Sequence, residues 1–257
     1  MSAGSVGAAG SPAAAGGPSS PELLHGDGIA RYAFGDGTVT DASLTAAGEA
    51  LAAESARFAG LGWMPGTAGN LSVTLARSPL RLAVTASGRD KGELRTQDIV
   101  LVDEQGEWVP DAESGSGDVT ARLGLASKPS AEAGLHARIA AVTGAGAVIH
   151  VHALAAVRAG AAWPGGVQLR DLEMLKGIGH SAHDELVTIP VVQNHQDMRV
   201  LGDDFERVYV RATAEVREVP ALVVASHGIY AWGSDLRHAR WHLELTEALL
   251  QIALATR

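Results

Sequence analysis

The chain has 257 residues, 46% of them hydrophobic and 19% charged, which is enough to bury one large core or two small ones. A formal net charge of −9 argues against nucleic acid or anionic lipid as the main partner, although a local basic pocket for one phosphate remains compatible with it. The absence of cysteine excludes disulfides, thiolate metal sites and cysteine nucleophiles, so a bound metal would need His, Asp, Glu or water as ligands.

Residues 1–30 are predicted to form a disordered tail, because Ala, Gly, Ser and Pro dominate Met1 to Pro21 without the basic residues of a signal peptide. Residues 31–257 are predicted to form one folded domain. No apolar run reaches the length of a membrane span, and we expect a cytoplasmic protein with no membrane contact.

In the first half of this domain the sequence predicts one helix and three strands. The helix covers residues 41–59, with Asp41 as its cap and Gly60 at its end. Strands at 71–76 and 81–86 form a hairpin, and a third strand covers 99–103. Glycine-rich loops occupy 62–70 and 87–92, and residues 111–127 are polar and irregular.

The second half mixes strands and helices without strict alternation. Pro129 suits the first turn of a helix that ends near Val142, and an apolar strand carries His150 and His152. The remaining predicted elements are a helix at 153–159, an ordered segment at 171–178, a strand at 187–192 that Pro190 places at an edge or bulge, a helix at 204–216, a strand up to 226 and a helix at 234–256. This pattern favours a single α/β domain with three layers, α/β/α, around a mixed, largely antiparallel sheet over a parallel Rossmann sheet.

Three histidines near strand ends indicate a metal site. His150 and His152 are two residues apart, so on a strand they project to the same side. Their apolar neighbours would make two unpaired imidazoles costly, and a metal ion removes that cost. His227 ends a second apolar strand, and three neutral nitrogen ligands with an open fourth position are typical of catalytic zinc.

The two glycine-rich loops have the donors that a phosphate needs. Residues 66–70 offer backbone N–H groups and the Thr67 hydroxyl, Ser87 and Gly88 offer more, and Lys91 adds positive charge. Neither loop matches a P-loop or a dinucleotide fingerprint, so each is equally typical of a tight turn.

Two glutamates have both an ordinary and a catalytic interpretation. Glu132 stands near a predicted helix start, where a carboxylate is favourable in any case. Glu173 lies in a short polar segment where a solvated side chain is common. The pattern alone leaves both interpretations open.

Several segments of the chain form a recognisable series: Gly66-Thr-Ala-Gly-Asn-Leu-Ser72, Thr85-Ala-Ser-Gly88, Lys128-Pro-Ser-Ala-Glu132, His150-Val-His152 and Ser226-His-Gly228. In this order they resemble the class II aldolase/adducin superfamily over roughly residues 40–257. Within it, residues 172–178 and 189–198 resemble the branch that dehydrates 5-methylthioribulose 1-phosphate in methionine salvage.

The resemblance implies a sugar-phosphate substrate, one zinc ion per subunit and a homotetramer with sites near subunit contacts. It implies that His150, His152 and His227 hold the zinc. It also implies that the phosphate is bound by Thr67, Gly69, Asn70, Ser87 and Gly88, with Lys91 adjacent, whereas Ala131 replaces a serine that relatives often have.

The same resemblance offers two candidates for the catalytic base. Aldolases of the superfamily use the glutamate at the position of Glu132, which can also contact the metal. The dehydratase branch uses the glutamate of the Glu-Met-x-Lys segment, here Glu173. We favour Glu173, with Glu132 as a supporting acid or conditional ligand, in a zinc-assisted β-elimination.

Two alternatives follow from the same residues. A sugar-phosphate aldolase or a pentulose-phosphate epimerase of the superfamily would share the metal site. A non-catalytic adducin-like assembly module would keep the fold without needing the ligands, and the presence of all three histidines and both glutamates argues against it.

Overall fold

The computed structural model describes residues 1, 39–109, 128–180, 184–213 and 216–257. Apart from Met1, the predicted tail at 1–30 lies outside the described residues, as does the segment 111–127. The described part contains helices α1 (Asp41–Gly60), α2 (Ala133–Thr143), α3 (Leu154–Ala162), α4 (Met198–Val208) and α5 (Leu236–Ala255), and strands β1 (Asn70–Arg77), β2 (Leu80–Thr85), β3 (Ile99–Val102), β4 (Ala147–Val151), β5 (Val167–Leu169), β6 (Val187–Ile189), β7 (Val191–Val192), β8 (Ala221–Val224) and β9 (Gly228–Gly233).

Seven strands form one mixed sheet in the order β3-β2-β1-β4-β9-β8-β7. Every neighbouring pair is antiparallel except β7 and β8, which are parallel. Strands β5 and β6 form a separate antiparallel pair. The prediction of a largely antiparallel mixed sheet is therefore confirmed.

Helices cover both faces of this sheet. Alternate residues of each strand point to opposite faces, and apolar side chains on both faces pack against helices. On one face, Val148 of β4 packs in a cluster with residues of α2 and α4, including Leu135 and Phe205. On the other face, Ile149 and Val151 pack in a cluster with residues of α1, α3 and α5. The three-layer α/β/α prediction is confirmed, and His150 belongs to the α2 face.

Local hydrogen bonds fix the helix starts, and they correct two predictions. Helix α1 begins after Thr40, which forms a capping box with Ser43, so Asp41 is its first residue rather than its cap. Pro129 does not start α2: it forms an isolated bridge with Ala86, and the helix begins four residues later. Glu132 is thereby left at the turn immediately before the helix.

The predicted helix at 204–216 is wrong at both ends. The side chain of Asp197 accepts a hydrogen bond from Arg199 N, which starts α4 at Met198. The helix ends at Val208, and residues 209–213 are not helical. The apolar stripe of Leu201 and Phe205 explains the true register, since both are buried against the sheet.

Two strands near the end of the chain differ from the prediction. The sequence does not predict strand β9, which lies inside the sheet between β4 and β8. Pro190 divides the predicted strand at 187–192, so that β6 pairs with β5 and β7 pairs with β8 at the sheet edge. Within the described ranges, no helix combines the length and apolar character that a membrane span requires.

Candidate metal centre

The ends of β4 and β8 bring three imidazole rings together. His150 is fully buried in β4, His152 follows that strand, and His227 lies in the turn between β8 and β9. The ring centroids of the three pairs lie 4.8–4.9 Å apart, and the candidate ligand nitrogens all lie within 4.8 Å of one another. The Nε2 atoms of His150 and His152 are 3.0 Å apart.

Backbone contacts orient these rings. The His150 Nδ1–H group donates to the carbonyl of Ile229 at 3.1 Å, which leaves Nε2 with its lone pair directed into the site. The backbone N–H of His152 donates to the Trp63 carbonyl at 2.9 Å. Gly228 permits close approach of β9, because a Cβ atom there would lie 2.3 Å from Val151 O and 3.2 Å from His150 Cε1.

Glu132 completes the cluster rather than capping α2, since its side chain makes no capping hydrogen bond. Its Oε1 lies 3.1 Å from His227 Nε2, and its Oε2 lies 3.6 Å from His150 Nε2 and accepts from the Asn70 amide. Burial alone would raise the pKa of Glu132, but the two histidines and Asn70 outweigh it and hold the pKa well below its usual range. The carboxylate is therefore charged at neutral pH.

His150 and His152 have the protonation state that a metal ligand needs. Burial lowers the pKa of His150 to about 3, against the opposing attraction of Glu132, and it also lowers the pKa of His152. Buried Nδ1 of His227 and Oδ1 of Asn70 have no hydrogen-bond partner within the described ranges. Three imidazole side chains beside a carboxylate fit a divalent cation, and the histidines form a group that could hold one.

Two further residues support the site from the α2 side. Tyr230 stacks on His150 with ring centroids 4.1 Å apart and an interplanar angle of 16°. His136, also fully buried, lies with Nδ1 2.7 Å from the Ser72 hydroxyl. Sequence reasoning missed both, because they come from distant parts of the chain: Tyr230 reaches His150 through the pairing of β4 with β9, and His136 reaches Ser72 from helix α2.

The two glycine-rich loops adjoin this centre. Gly69 and Asn70 are buried where β1 begins, and Asn70 pairs with His150 across the sheet. A Cβ atom on Gly69, whose φ is +78°, would lie 2.8 Å from the carbonyl of His150. This close approach requires glycine and sets the loop against the histidine strand.

Lys91 holds the two loops together. Its side chain is buried, which lowers its pKa, and Nζ donates to the carbonyls of Thr67 and Arg89, each at 3.0 Å. Thr67, Ser87 and Gly88 are exposed, so their donors are accessible to a ligand. The residues predicted to bind phosphate therefore lie on two connected loops.

Glu173 has a different environment from Glu132. It begins a 3-10 helix at Glu173–Ile178, its side chain is 72% exposed, and its Oε1 lies 2.8 Å from Lys176 Nζ. In the structure of a single chain it is a surface residue. Glu132 is the glutamate that contacts two histidines of the trio.

The match of the sequence to a family model identifies the family. The chain belongs to the class II aldolase and adducin N-terminal domain family, whose model matches residues 49–254. The family resemblance seen in the sequence is thereby confirmed.

Within the family, the chain is similar to proteins named methylthioribulose-1-phosphate dehydratase. A methylthioribulose-1-phosphate dehydratase of Persephonella marina is 33% identical over 193 residues, covering 74% of this chain and 80% of the relative. A methylthioribulose-1-phosphate dehydratase of Methylococcus capsulatus is 36% identical over 202 residues, covering 77% of this chain and 89% of the relative. Among solved structures, an L-fuculose-1-phosphate aldolase of Thermus thermophilus superposes with a TM-score of 0.58 at 23% identity, covering 83% of this chain and 96% of the other, and shows the shared fold.

Proposed function

We propose that this chain is a zinc-dependent hydro-lyase that converts 5-methylthioribulose 1-phosphate to 2,3-diketo-5-methylthiopentyl 1-phosphate. The observation that carries the proposal is the convergence of three histidines and one buried glutamate in a chain similar to methylthioribulose-1-phosphate dehydratases. Carbon–oxygen elimination next to a ketone needs a Lewis acid and a base, and this site has candidates for both.

The proposed zinc site uses His150, His152 and His227, with one ion per subunit. Zinc, when bound, would polarise the substrate carbonyl and make the neighbouring C–H group more acidic. The contact of Glu132 with two of the histidines supports its proposed role as a supporting acid or conditional ligand. The hydrogen bond from Asn70 keeps that carboxylate oriented.

Glu173 is the proposed base. It removes the proton from C3, next to the C2 ketone, and the C4 hydroxyl leaves as water after it receives a proton. The resulting enol then becomes the 2,3-diketone. The exposure of Glu173 in a single chain fits a role at a subunit contact, and we propose a homotetramer in which sites lie near such contacts.

The phosphate of the substrate is proposed to bind Thr67, Gly69, Asn70, Ser87 and Gly88, with Lys91 behind them. These groups orient the reacting carbons and take no part in bond breaking. A sugar phosphate is too polar to cross a bilayer unaided, which supports a cytoplasmic location for the proposed reaction.

The direct test incubates zinc-loaded protein with 5-methylthioribulose 1-phosphate and measures product mass. Dehydration predicts a single product that has lost one water. Two smaller fragments would identify an aldolase, and an isomer of unchanged mass would identify an epimerase. No turnover by the zinc-loaded protein would favour an adducin-like assembly module.

The base assignment is tested with Glu173→Gln, Glu132→Gln and the control Glu49→Gln, which changes an exposed glutamate of α1. Glu173→Gln is expected to retain zinc and lose about 10²–10⁴-fold in kcat. The control is expected to match the unmodified enzyme. An active Glu173→Gln variant beside an inactive, zinc-loaded Glu132→Gln variant would transfer the role to Glu132.

A further inference from the structure

A second concave surface shares one wall with the candidate metal centre. This cavity of about 730 Å³ includes His152 in its lining and is otherwise formed by the loop that follows α1, the start of α3 and the end of α5. Its other lining residues include Leu61, Trp63, Leu154 and Arg158. We call it the Leu61/Leu154 cavity.

Large apolar side chains line the mouth of the Leu61/Leu154 cavity. Leu154 is 69% exposed and Leu61 is 51% exposed. Trp63 is half-buried, and the hydrogen bond from His152 N to its carbonyl fixes it beside that histidine. Exposed apolar surface grouped in one concavity indicates a place where an apolar group binds.

The polar side chains of the cavity limit which ligand group can bind there. Glu247, only 2% exposed, accepts hydrogen bonds from the backbone N–H groups of Ala155 and Ala156 at 3.0 and 3.1 Å. Its carboxylate is therefore engaged by the first turn of α3. Arg158 is exposed, and its charge can remain in water while its stem extends the apolar wall.

We propose that the Leu61/Leu154 cavity binds the methylthio end of the substrate and sets the preference of the enzyme for a thioether at C5. This inference rests on the proposed function. The substrate carries phosphate at C1 and an apolar thioether at C5, so its two ends need different surroundings. The residues proposed to bind phosphate do not line this cavity, whereas His152 belongs both to the cavity and to the metal centre.

The chemical fit is specific to an apolar sulfur group. A thioether gains from burial against leucine, and its sulfur makes favourable contacts with an aromatic ring such as Trp63. A C5 hydroxyl gains less there, because the carboxylate of Glu247 is already hydrogen-bonded, and Arg158 and Gln251 are exposed and can keep their own contacts with water. The cavity therefore favours a thioether over a hydroxyl at that carbon.

The test compares 5-methylthioribulose 1-phosphate with ribulose 1-phosphate, which keeps the ketone, the other hydroxyls and the phosphate but carries a hydroxyl at C5 in place of the methylthio group. The enzyme is expected to prefer the thioether by about 10-fold or more in kcat/KM. Leu154→Ser and Leu61→Ser are each expected to reduce that preference about fivefold or more, through KM for the thioether. Val200→Ser, at an exposed apolar position on α4, serves as the control and is expected to leave the preference unchanged.

Zinc content and oligomer size are measured on every variant, and both are expected to stay unchanged. The inference is overturned if the leucine variants lower activity on both sugars equally, or if they change the oligomer size together with such a loss, since the leucines would then bind a second copy of the chain. An unmodified enzyme that shows no preference also overturns it while leaving dehydration established. Failure of the zinc-loaded enzyme to remove water from either sugar would instead overturn the proposed function.

Discussion

Replacing Gly228 with alanine tests how the backbone around His227 sets the metal centre. Gly228 begins β9 and pairs with Val224, directly beside the end of β4. The added methyl carbon would lie 2.3 Å from the carbonyl oxygen of Val151 and 3.2 Å from both His150 Cε1 and His152 Cα. One small change therefore presses on the strand that carries two of the three histidines.

The size of the effect follows from these distances. Ordinary contact begins near 3.4 Å, so β4 and β9 must separate by about 1 Å. Overpacking of this kind costs about 1–3 kcal/mol of the free energy of unfolding. Metal ligands tolerate displacements of only about 0.2 Å, so zinc affinity is expected to fall about 10²-fold and kcat/KM by a similar factor.

The assay measures zinc affinity by competition with a chromophoric chelator, together with kcat/KM and thermal unfolding. Gly60→Ala is the matched control, because a Cβ at the end of α1 would meet nothing within 4 Å. The control is expected to keep zinc affinity and activity. A Gly228→Ala protein with unchanged zinc affinity would refute the reasoning that this close approach positions the histidines.

Three further predictions concern residues around the site. Glu247→Ala removes both buried hydrogen bonds to the start of α3, which follows His152 in the chain. Denaturant unfolding should show a loss of about 2–4 kcal/mol in the free energy of unfolding, and chelator competition should show weaker zinc binding. Unchanged values in both measurements would show that Glu247 does not hold His152 in place. Burial lowers the pKa of His136 to about 4 from an ordinary 6.5, so the unfolded chain takes up the proton first as the pH falls. The zinc-free protein should therefore lose about 3 kcal/mol of its free energy of unfolding between pH 6.5 and 4 through this group. The free energy of unfolding of His136→Gln should depend less steeply on pH, and equal slopes would contradict the assignment. Lys91→Ala removes the hydrogen bonds that join the two glycine-rich loops. In steady-state kinetics it should raise KM more than it lowers kcat. A fall in kcat alone would place Lys91 in the chemical step.

The sequence pattern predicted the features that depend on local spacing. His150 and His152 share a face because strand side chains alternate, and the glycines of the first loop permit the positive φ values that Gly66 and Gly69 adopt. The mixed sheet followed from the irregular order of strands and helices. These properties depend on neighbouring residues, which a single sequence contains.

Features that depend on distant pairing could not be predicted in this way. Strand β9 is buried along its whole length and lacks the alternation that marks a half-exposed strand. Tyr230 joins the site only because its strand pairs with His150, and Glu132 reaches His227 only because α2 begins later than Pro129 indicated. The side-chain cap of Asp197 starts α4 before the predicted start at residue 204, and the helix ends at Val208 although the sequence predicts it to residue 216.

The convergence of His150, His152 and His227 on one cation is tested most directly by zinc X-ray absorption on the metal-loaded protein. The account predicts one zinc per chain with three imidazole nitrogens at about 2.0–2.1 Å, and loss of this signal in His152→Ala. A zinc ion bound without imidazole nitrogen, or an identical spectrum in His152→Ala, would contradict it.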